Sequence, residues 1–405
     1  MKRRSSQPPL LDLPDFLQDS PFLPSFDSRV DDDYKRHHQP RPTTRQILTS
    51  KPARTVLAVL LTILALIYLR NSLRSHHIWA RLTGPSCYYT DPVTVPSSHS
   101  GVDVDWSKFA YTQYATNVDY LCNAVMIFET LHRLGSKADR LLLYPNKYSL
   151  DVTLGTVESR LLVKARDEFN VTLKAVRVQH QNLAAYSGPN WADSYTKLLA
   201  FSQKQYTRLL VLDSDATILQ PLDSLFLLPS APAIMPRAWW LPYPFLSSHF
   251  MLIEPSDREF WRVQKAMENA RVGYYDMEIM NKLYGRTCRV LPHEKYALLT
   301  GELRAKDHAG WLSGGIGIGK GKKLGLDWDV ERMKREARVV HFSDSPLPKP
   351  WLATEEQIEK FKPECVEGVG WEEDCREREI WVGFYEDFRR RRKVCDIAYC
   401  RDIWY

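Results

Sequence analysis

Beyond Lys108 the chain alternates short apolar runs with stretches whose apolar residues recur every three or four positions. "KFAYTQYA", "RLLLYPN", "LKAVRV" and "RLLVLD" are short runs rich in branched and aromatic residues with polar flanks, and they read as strands. Leu121, Val125, Phe128 and Leu131 keep helical spacing between Asn117, a residue suited to cap a helix, and Gly135, suited to end one. Further helices are predicted from about Leu154 to Phe169 and over "WADSYTKLLAFSQKQY". Strands alternating with helices imply an α/β fold with a mainly parallel sheet covered on both faces. In such sheets ligands bind beyond the carboxyl ends of the strands.

Upstream the pattern is different. "TVLAVLLTILALIYL", Thr55 to Leu69, is the one long uncharged apolar run, bounded by Arg54 and Arg70. At ~1.5 Å per residue it reaches roughly 22 Å, a short membrane span completed by snorkelling arginines. The run has no polar face, which disfavours a surface helix, and the 54 residues before it are too many for the n-region of a cleaved signal. Positions 34 to 54 hold six Lys/Arg and positions 70 to 90 hold three, so the amino end is expected in the cytosol and the bulk of the protein in a lumen. The expected organisation is a disordered cytosolic tail (1–54, rich in Pro, Ser and Asp), an anchor (55–69), a stem (70–105), a catalytic α/β domain (106–352) and a Cys-containing charged extension (353–405).

Composition adds limits. The 405 residues are 44% hydrophobic and 12% aromatic, a globular composition with room for one large or two ordinary domains. The net charge of +6 is modest, and about half of the excess lies in the first 54 residues, which carry ten Lys/Arg against seven Asp/Glu. That argues against a nucleic-acid partner and leaves room for a basic pocket binding a phosphorylated small molecule. Seven cysteines, four of them late (Cys365, Cys375, Cys395, Cys400), and the Asn170-Val-Thr172 sequon suit an oxidising lumen. One disulfide among those four is expected, with the pairing open and a zinc site the weaker reading.

Candidate chemistry begins with Asp-x-Asp, which occurs at Asp31/Asp33, Asp103/Asp105, Asp213/Asp215 and Asp327/Asp329. Only Asp213/Asp215 ends a predicted buried strand. One-residue spacing on extended chain points both carboxylates the same way, toward one hard cation that would relieve their repulsion.

"SYTKLLAFSQKQYTRLLVLDSDATILQPLDSLF" resembles the central block of the glycogenin-like retaining glycosyltransferases, family 8, whose fold is GT-A. "FAYTQYATNVDY" is similar to that family's first strand and nucleotide loop, "YDMEIMN" to its Asp-Gln-x-x-x-Asn helix, and "VVHFSDSPLPKPW" to its His-Phe…Lys-Pro-Trp ending. The resemblance implies Asp213, Asp215 and His341 as ligands of Mn²⁺ (or Mg²⁺) bridging the donor diphosphate, a set whose single imidazole suits Mn²⁺ better than Ca²⁺. It implies Tyr114, Thr116, Asn117 and Tyr120 as nucleotide contacts, Lys197 and Lys349 near the sugar and diphosphate, and Asp276 as the sugar-binding acid. Two departures stand out. Met277 and Glu278 replace the Gln region, making Glu278 a further catalytic candidate although it stands about 200° from Asp276 on a regular helix. "LSSHF" replaces Asn-Ser-Gly, putting Ser247, Ser248 and His249 on the acceptor side.

These replacements resemble the fungal Golgi N-acetylglucosaminyltransferase branch. They imply transfer of GlcNAc from UDP-GlcNAc to a glycan or glycoprotein acceptor by a single-pass type II Golgi membrane protein, with a homodimer left open. UDP-glucose, UDP-galactose or UDP-glucuronate as donor are the alternatives, as is an inactive lumenal binding subunit. "GGIGIGKGKK" from Gly314 imitates a P-loop but carries Gly321 where Ser or Thr would hold magnesium, and reads as a mobile basic loop. "RRRRK", Arg389 to Lys393, reads as a solvated helix face.

Overall fold

The computed structural model describes residues 103–180, 193–241, 244–314, 328–367 and 373–395, together with 55, 59 and 61–64. The chain divides into two units, Met1–Ile78 and Trp79–Tyr405. In the first unit the described residues are helical and exposed, and they fall within the predicted anchor. No helix among the described residues is long and apolar enough to cross a membrane. The predicted cytosolic tail, the rest of the anchor, the stem up to residue 102, the basic loop after Gly314 and Cys400 lie outside the described residues.

The second unit is built on a seven-stranded sheet in the order β3-β2-β1-β4-β7-β6-β8. Its strands are β1 (Phe109–Tyr114), β2 (Asp139–Pro145), β3 (Val171–Val176), β4 (Arg208–Leu212), β6 (Ala233–Pro236), β7 (Phe250–Ile253) and β8 (Arg289–Leu291), while β5 (Ala216–Ile218) belongs to a second sheet. The β3-β2-β1-β4 half is parallel, as the alternating pattern predicts. The sheet is mainly parallel, as expected, since β6 and β8 also run parallel to each other and in the sense of β4; the exception is β7, antiparallel to both β4 and β6. Among the described residues between β6 and β7 there is no helix to carry a parallel crossover, and the chain returns in the opposite sense. The second sheet, β5-β10-β9, joins β5 to β9 (Leu298–Leu299) and β10 (Val339–His341).

The helices are α1 (Val118–Arg133), α2 (Val157–Phe169), α3 (Asp257–Glu268), α4 (Asp276–Tyr284), α5 (His293–Tyr296), α6 (Ala309–Ser313), α7 (Val330–Glu336), α8 (Glu355–Phe361) and α9 (Arg376–Arg392). Asn117 caps α1 through its side-chain oxygen, and Gly135 leaves it at a φ of 66°. Thr156 and Ser256 cap α2 and α3 in the same way. The helix predicted over "WADSYTKLLAFSQKQY" is instead a 3-10 helix, Ser194–Ser202, nearly all of it buried.

The charged carboxyl extension is part of the core. Trp381, Tyr385 and Phe388 of α9 are almost wholly buried in the same cluster as Phe128 of α1 and Phe342 beyond β10. Each such ring stabilises by roughly 2 kcal/mol on burial. A disulfide joins Cys122 of α1 to Cys395 just beyond α9, and a second joins Cys365 to Cys375, within the predicted set of four. The arginine run also departs from a purely solvated face. Arg391 donates to Thr130 and Thr217, at 3.1 and 2.6 Å, Arg392 reaches Asp119 and Asn123, and Arg389 donates to the Ala353 carbonyl. Arg390, bonded to Asp387 on its own helix, is mostly exposed, and Lys393 is exposed as well. The run points inward because the polar side chains and carbonyls of α1, β5 and the turn after Trp351 stand opposite it.

Candidate functional site

The proposed ligands meet because of strand register. Asp213 follows β4 directly, and its amide donates to the His249 carbonyl at 2.9 Å. Asp215 precedes β5, whose Ala216 pairs antiparallel with His341 of β10, and the Phe342 amide donates to the Asp215 carbonyl at 2.9 Å. His341 Nε2 therefore stands 3.2 Å from Asp215 Oδ1. One ligand atom from each of Asp213, Asp215 and His341 can be chosen within 4.8 Å of the others. Two of the remaining Asp-x-Asp pairs serve as helix caps: Asp105 accepts from the Ser107 amide and Asp329 from the Arg332 amide.

Two lysines compensate the carboxylates. Lys197, buried in the 3-10 helix, lies 2.7 Å from Asp213 Oδ1 and 2.6 Å from Asp276 Oδ2, and donates to the Ser248 carbonyl at 3.1 Å. Lys349 lies 2.6 Å from Asp215 Oδ2. Burial raises the Asp213 carboxyl, and Lys197 only partly offsets that because Asp215 and Asp276 add repulsion. For Asp215 burial acts the same way, but Lys349 and His341 together outweigh it and hold the group well below the usual carboxylate range. Burial opposes the charge of Asp276 as well, yet Lys197 and hydrogen bonds from Lys197, Ser248 and Ser194 keep its pKa low. The site thus keeps acidic groups of opposite tendency side by side, a pattern typical of functional centres.

These residues line a cavity of about 590 Å³ together with Tyr114, Thr116 and Tyr120. Tyr114 donates to Asp213 at 3.2 Å, and the Tyr120 ring meets Trp351 edge-on at 5.4 Å. Asn117 and Glu278 do not line it. The Asn117 oxygen accepts from the Tyr120 amide at 3.1 Å, and Glu278 Oε2 accepts from the Tyr275 amide at 2.9 Å, so both act as helix caps. Helical geometry explains the second case, since Asp276 at the start of α4 faces Lys197 and Glu278 turns away. Ser248 donates to Asp276 at 2.6 Å. His249 is buried beside the cavity: its Nε2 donates to the Tyr296 carbonyl at 3.1 Å, so its Nδ1 accepts from Ser247, and its ring centroid lies 5.0 Å from that of His341. Burial and the neighbouring His341 depress its pKa, which keeps the imidazole neutral.

The sequence reading missed Asp344 and Tyr385, which also line the cavity. Tyr385 had no local signal, because only the packing of α9 brings it there.

The donor set suits a divalent cation. Two carboxylates and an imidazole are the oxygen-and-nitrogen mixture that Mn²⁺ accepts, and His341 Nδ1 is buried without a hydrogen-bond partner.

No family model matches the chain. It is 50% identical over 302 residues to glucose N-acetyltransferase 1 of Gibberella zeae, the match covering 72% of this chain and 64% of that protein, so the chain spans just under two thirds of that relative. It is 42% identical over 335 residues to glucose N-acetyltransferase 1 of Aspergillus fumigatus, covering 78% of this chain and 83% of that protein. Among solved structures, the galactosyltransferase LgtC in complex with donor and acceptor sugar analogs aligns with a TM-score of 0.43 at 10% identity, over 69% of this chain and 95% of that one. On the strength of the Aspergillus match, the chain belongs to the glucose N-acetyltransferase 1 family.

Proposed function

We propose that this protein is a metal-dependent, retaining glycosyltransferase of GT-A type that moves GlcNAc from UDP-GlcNAc onto a glycan acceptor in the secretory pathway, with Thr55 to Leu69 as its membrane anchor and the Golgi as its site. The observation that carries the reading is the convergence of Asp213, Asp215 and His341 with Lys197 and Asp276 on one cavity at the carboxyl end of β4. The relatives' printed name, read literally, describes an acetyl transfer to glucose. The carboxylate, imidazole and lysine cluster of the cavity would suit a cation-bound diphosphate beside a sugar-binding acid, which supports transfer of the whole amino sugar.

Asp213, Asp215 and His341 would hold a Mn²⁺ or Mg²⁺ ion, which neutralises the diphosphate leaving group. Lys349 stands where it can leave Asp215 and pair with a phosphate oxygen. Tyr114, Thr116 and Tyr120 line the side expected to take the nucleoside. Asp276, fixed by Lys197 and Ser248, presents a charged acceptor to sugar hydroxyls. In the transfer, the bond from the anomeric carbon to the diphosphate oxygen breaks with its electron pair going to the diphosphate. A bond to an acceptor hydroxyl oxygen forms on the same face, and the hydroxyl proton leaves to the departing phosphate. Asp276 and Lys197 orient the sugar.

Release of UDP by the purified full-length protein, screened over UDP and GDP sugars with and without Mn²⁺, tests the reading. Turnover highest with UDP-GlcNAc and abolished by chelation is the expected result. Absence of metal-dependent turnover with every donor would sink it.

A further inference from the structure

Asp344 is one of the most heavily bonded side chains near the cavity. Its Oδ2 accepts from the hydroxyls of Thr300 and Tyr385, the latter at 2.8 Å, and its Oδ1 accepts from Trp381 Nε1 at 3.0 Å with Arg304 at 3.6 Å. The side chain is 1% exposed. The same clamp reaches the backbone on either side. The Ser343 amide donates to Thr300 Oγ1 at 3.1 Å, Arg304 donates to the Asp344 carbonyl at 3.1 Å, and the Leu347 amide donates to that carbonyl at 2.9 Å. Five residues beyond Asp344, Lys349 donates to the Phe342 carbonyl and to Asp215, each at 2.6 Å. The segment between them forms one wall of the cavity.

We infer that Asp344, held by Trp381 and Tyr385 of the carboxyl-terminal helix α9, is the positioning residue that sets the donor-side wall and Lys349, making α9 part of the donor site. The inference rests on the reading of this cavity as the donor site. Moving the loop would leave a buried side chain without the three hydrogen bonds and the arginine that grip it, so the loop that carries it has one stable seat. Thr300 and Arg304 sit on the 3-10 turn Thr300–Arg304 and fix one side of that seat. Trp381 and Tyr385 are a turn apart on α9 and fix the other. The loop can therefore hold Lys349 against Asp215, or against a phosphate, only while α9 is docked.

Tyr385→Phe and Trp381→Phe each delete one donor and keep an aromatic ring in the core, so at least one folded variant is available. In the full-length protein with Mn²⁺, calorimetric UDP affinity and donor KM are measured beside kcat and the ligand-free melting temperature. We expect UDP affinity to weaken and donor KM to rise roughly tenfold, with kcat within about twofold, the size expected from losing one hydrogen bond to a charged acceptor. Unchanged UDP affinity and donor KM in both variants, whatever their melting temperatures, would overturn the inference. A parent protein that fails to bind UDP would overturn the donor-site reading itself, and the two failures are distinguished by the parent's titration.

Discussion

Lys197 lies between two acids, 2.7 Å from Asp213 and 2.6 Å from Asp276, with 2% of its side chain exposed. One ammonium therefore couples a proposed metal ligand to the proposed sugar-binding acid. Replacing Lys197 by Met removes the partner of two largely buried carboxylates, a loss of about 3–5 kcal/mol. On the proposed reading, a divalent ion would supply the missing charge at Asp213. Thermal melting with and without Mn²⁺ should show a lower metal-free melting temperature than the parent and a larger upward shift on adding the ion. An equal Mn²⁺ shift in both proteins would separate Lys197 from the metal cluster.

Glu278 separates sequence expectation from geometry. Its carboxylate accepts from the Tyr275 amide and does not line the cavity. Glu278→Gln keeps an acceptor for that amide, so kcat/KM should stay within about twofold and stability within about 1 kcal/mol of the parent. A loss of a hundredfold in kcat/KM would restore Glu278 as a catalytic group.

His308 links the catalytic domain to α9. It contacts Glu302 at 2.7 Å and Glu377 at 3.3 Å, and stacks on Trp328 at 3.8 Å between centroids. Burial disfavours its charge, but the bonds to the two glutamates outweigh this and push its pKa up to about 9. A folded pKa above the unfolded value near 6.5 stabilises fully below about 6.5, and the contribution is lost as pH rises through 9. Discounted for partial exposure, the contribution is roughly 1–3 kcal/mol. Melting from pH 6 to pH 10 should fall more steeply between 6.5 and 9 in the parent than in His308→Gln. Parallel curves would contradict the assignment.

Gly301 passes so close to the cavity wall that a Cβ would stand 2.6 Å from the Ser343 carbonyl oxygen. Gly301→Ala must displace the backbone that leads to Asp344, since a carbonyl cannot swing aside as a side-chain tip can. Donor KM should rise by at least several-fold, with stability lowered by about 1–3 kcal/mol as for other overpacked sites. A KM equal to the parent's would show that the wall absorbs the shift.

Local signals in the sequence were enough for β1, β2, β3 and β4, for the capped helix α1 and for the pair Asp213/Asp215, because each rests on a strand pattern or a motif of a few residues, whereas His341 was brought to that pair only by the family resemblance. Long-range packing was not legible. The antiparallel β7 depends on how a short connection returns to the sheet. The inward turn of Arg391 and Arg392 depends on Thr130, Thr217 and Asp119, residues more than 170 positions away. Tyr385 reaches the cavity only because α9 is docked on α1, where the Cys122–Cys395 disulfide holds it. Glu278 was misjudged for a smaller reason: a glutamate at the third position of a helix has a backbone amide within reach, and that bond took it from the site.

The central claim is that Asp213, Asp215 and His341 form one metal site for a nucleotide diphosphate. Calorimetric titration of UDP into the full-length protein with Mn²⁺, repeated with Asp213→Asn, tests it most directly. The account predicts Mn²⁺-dependent UDP binding by the parent and a loss of at least a hundredfold in the variant, whereas equal affinity in the two proteins, or binding indifferent to Mn²⁺, would contradict it.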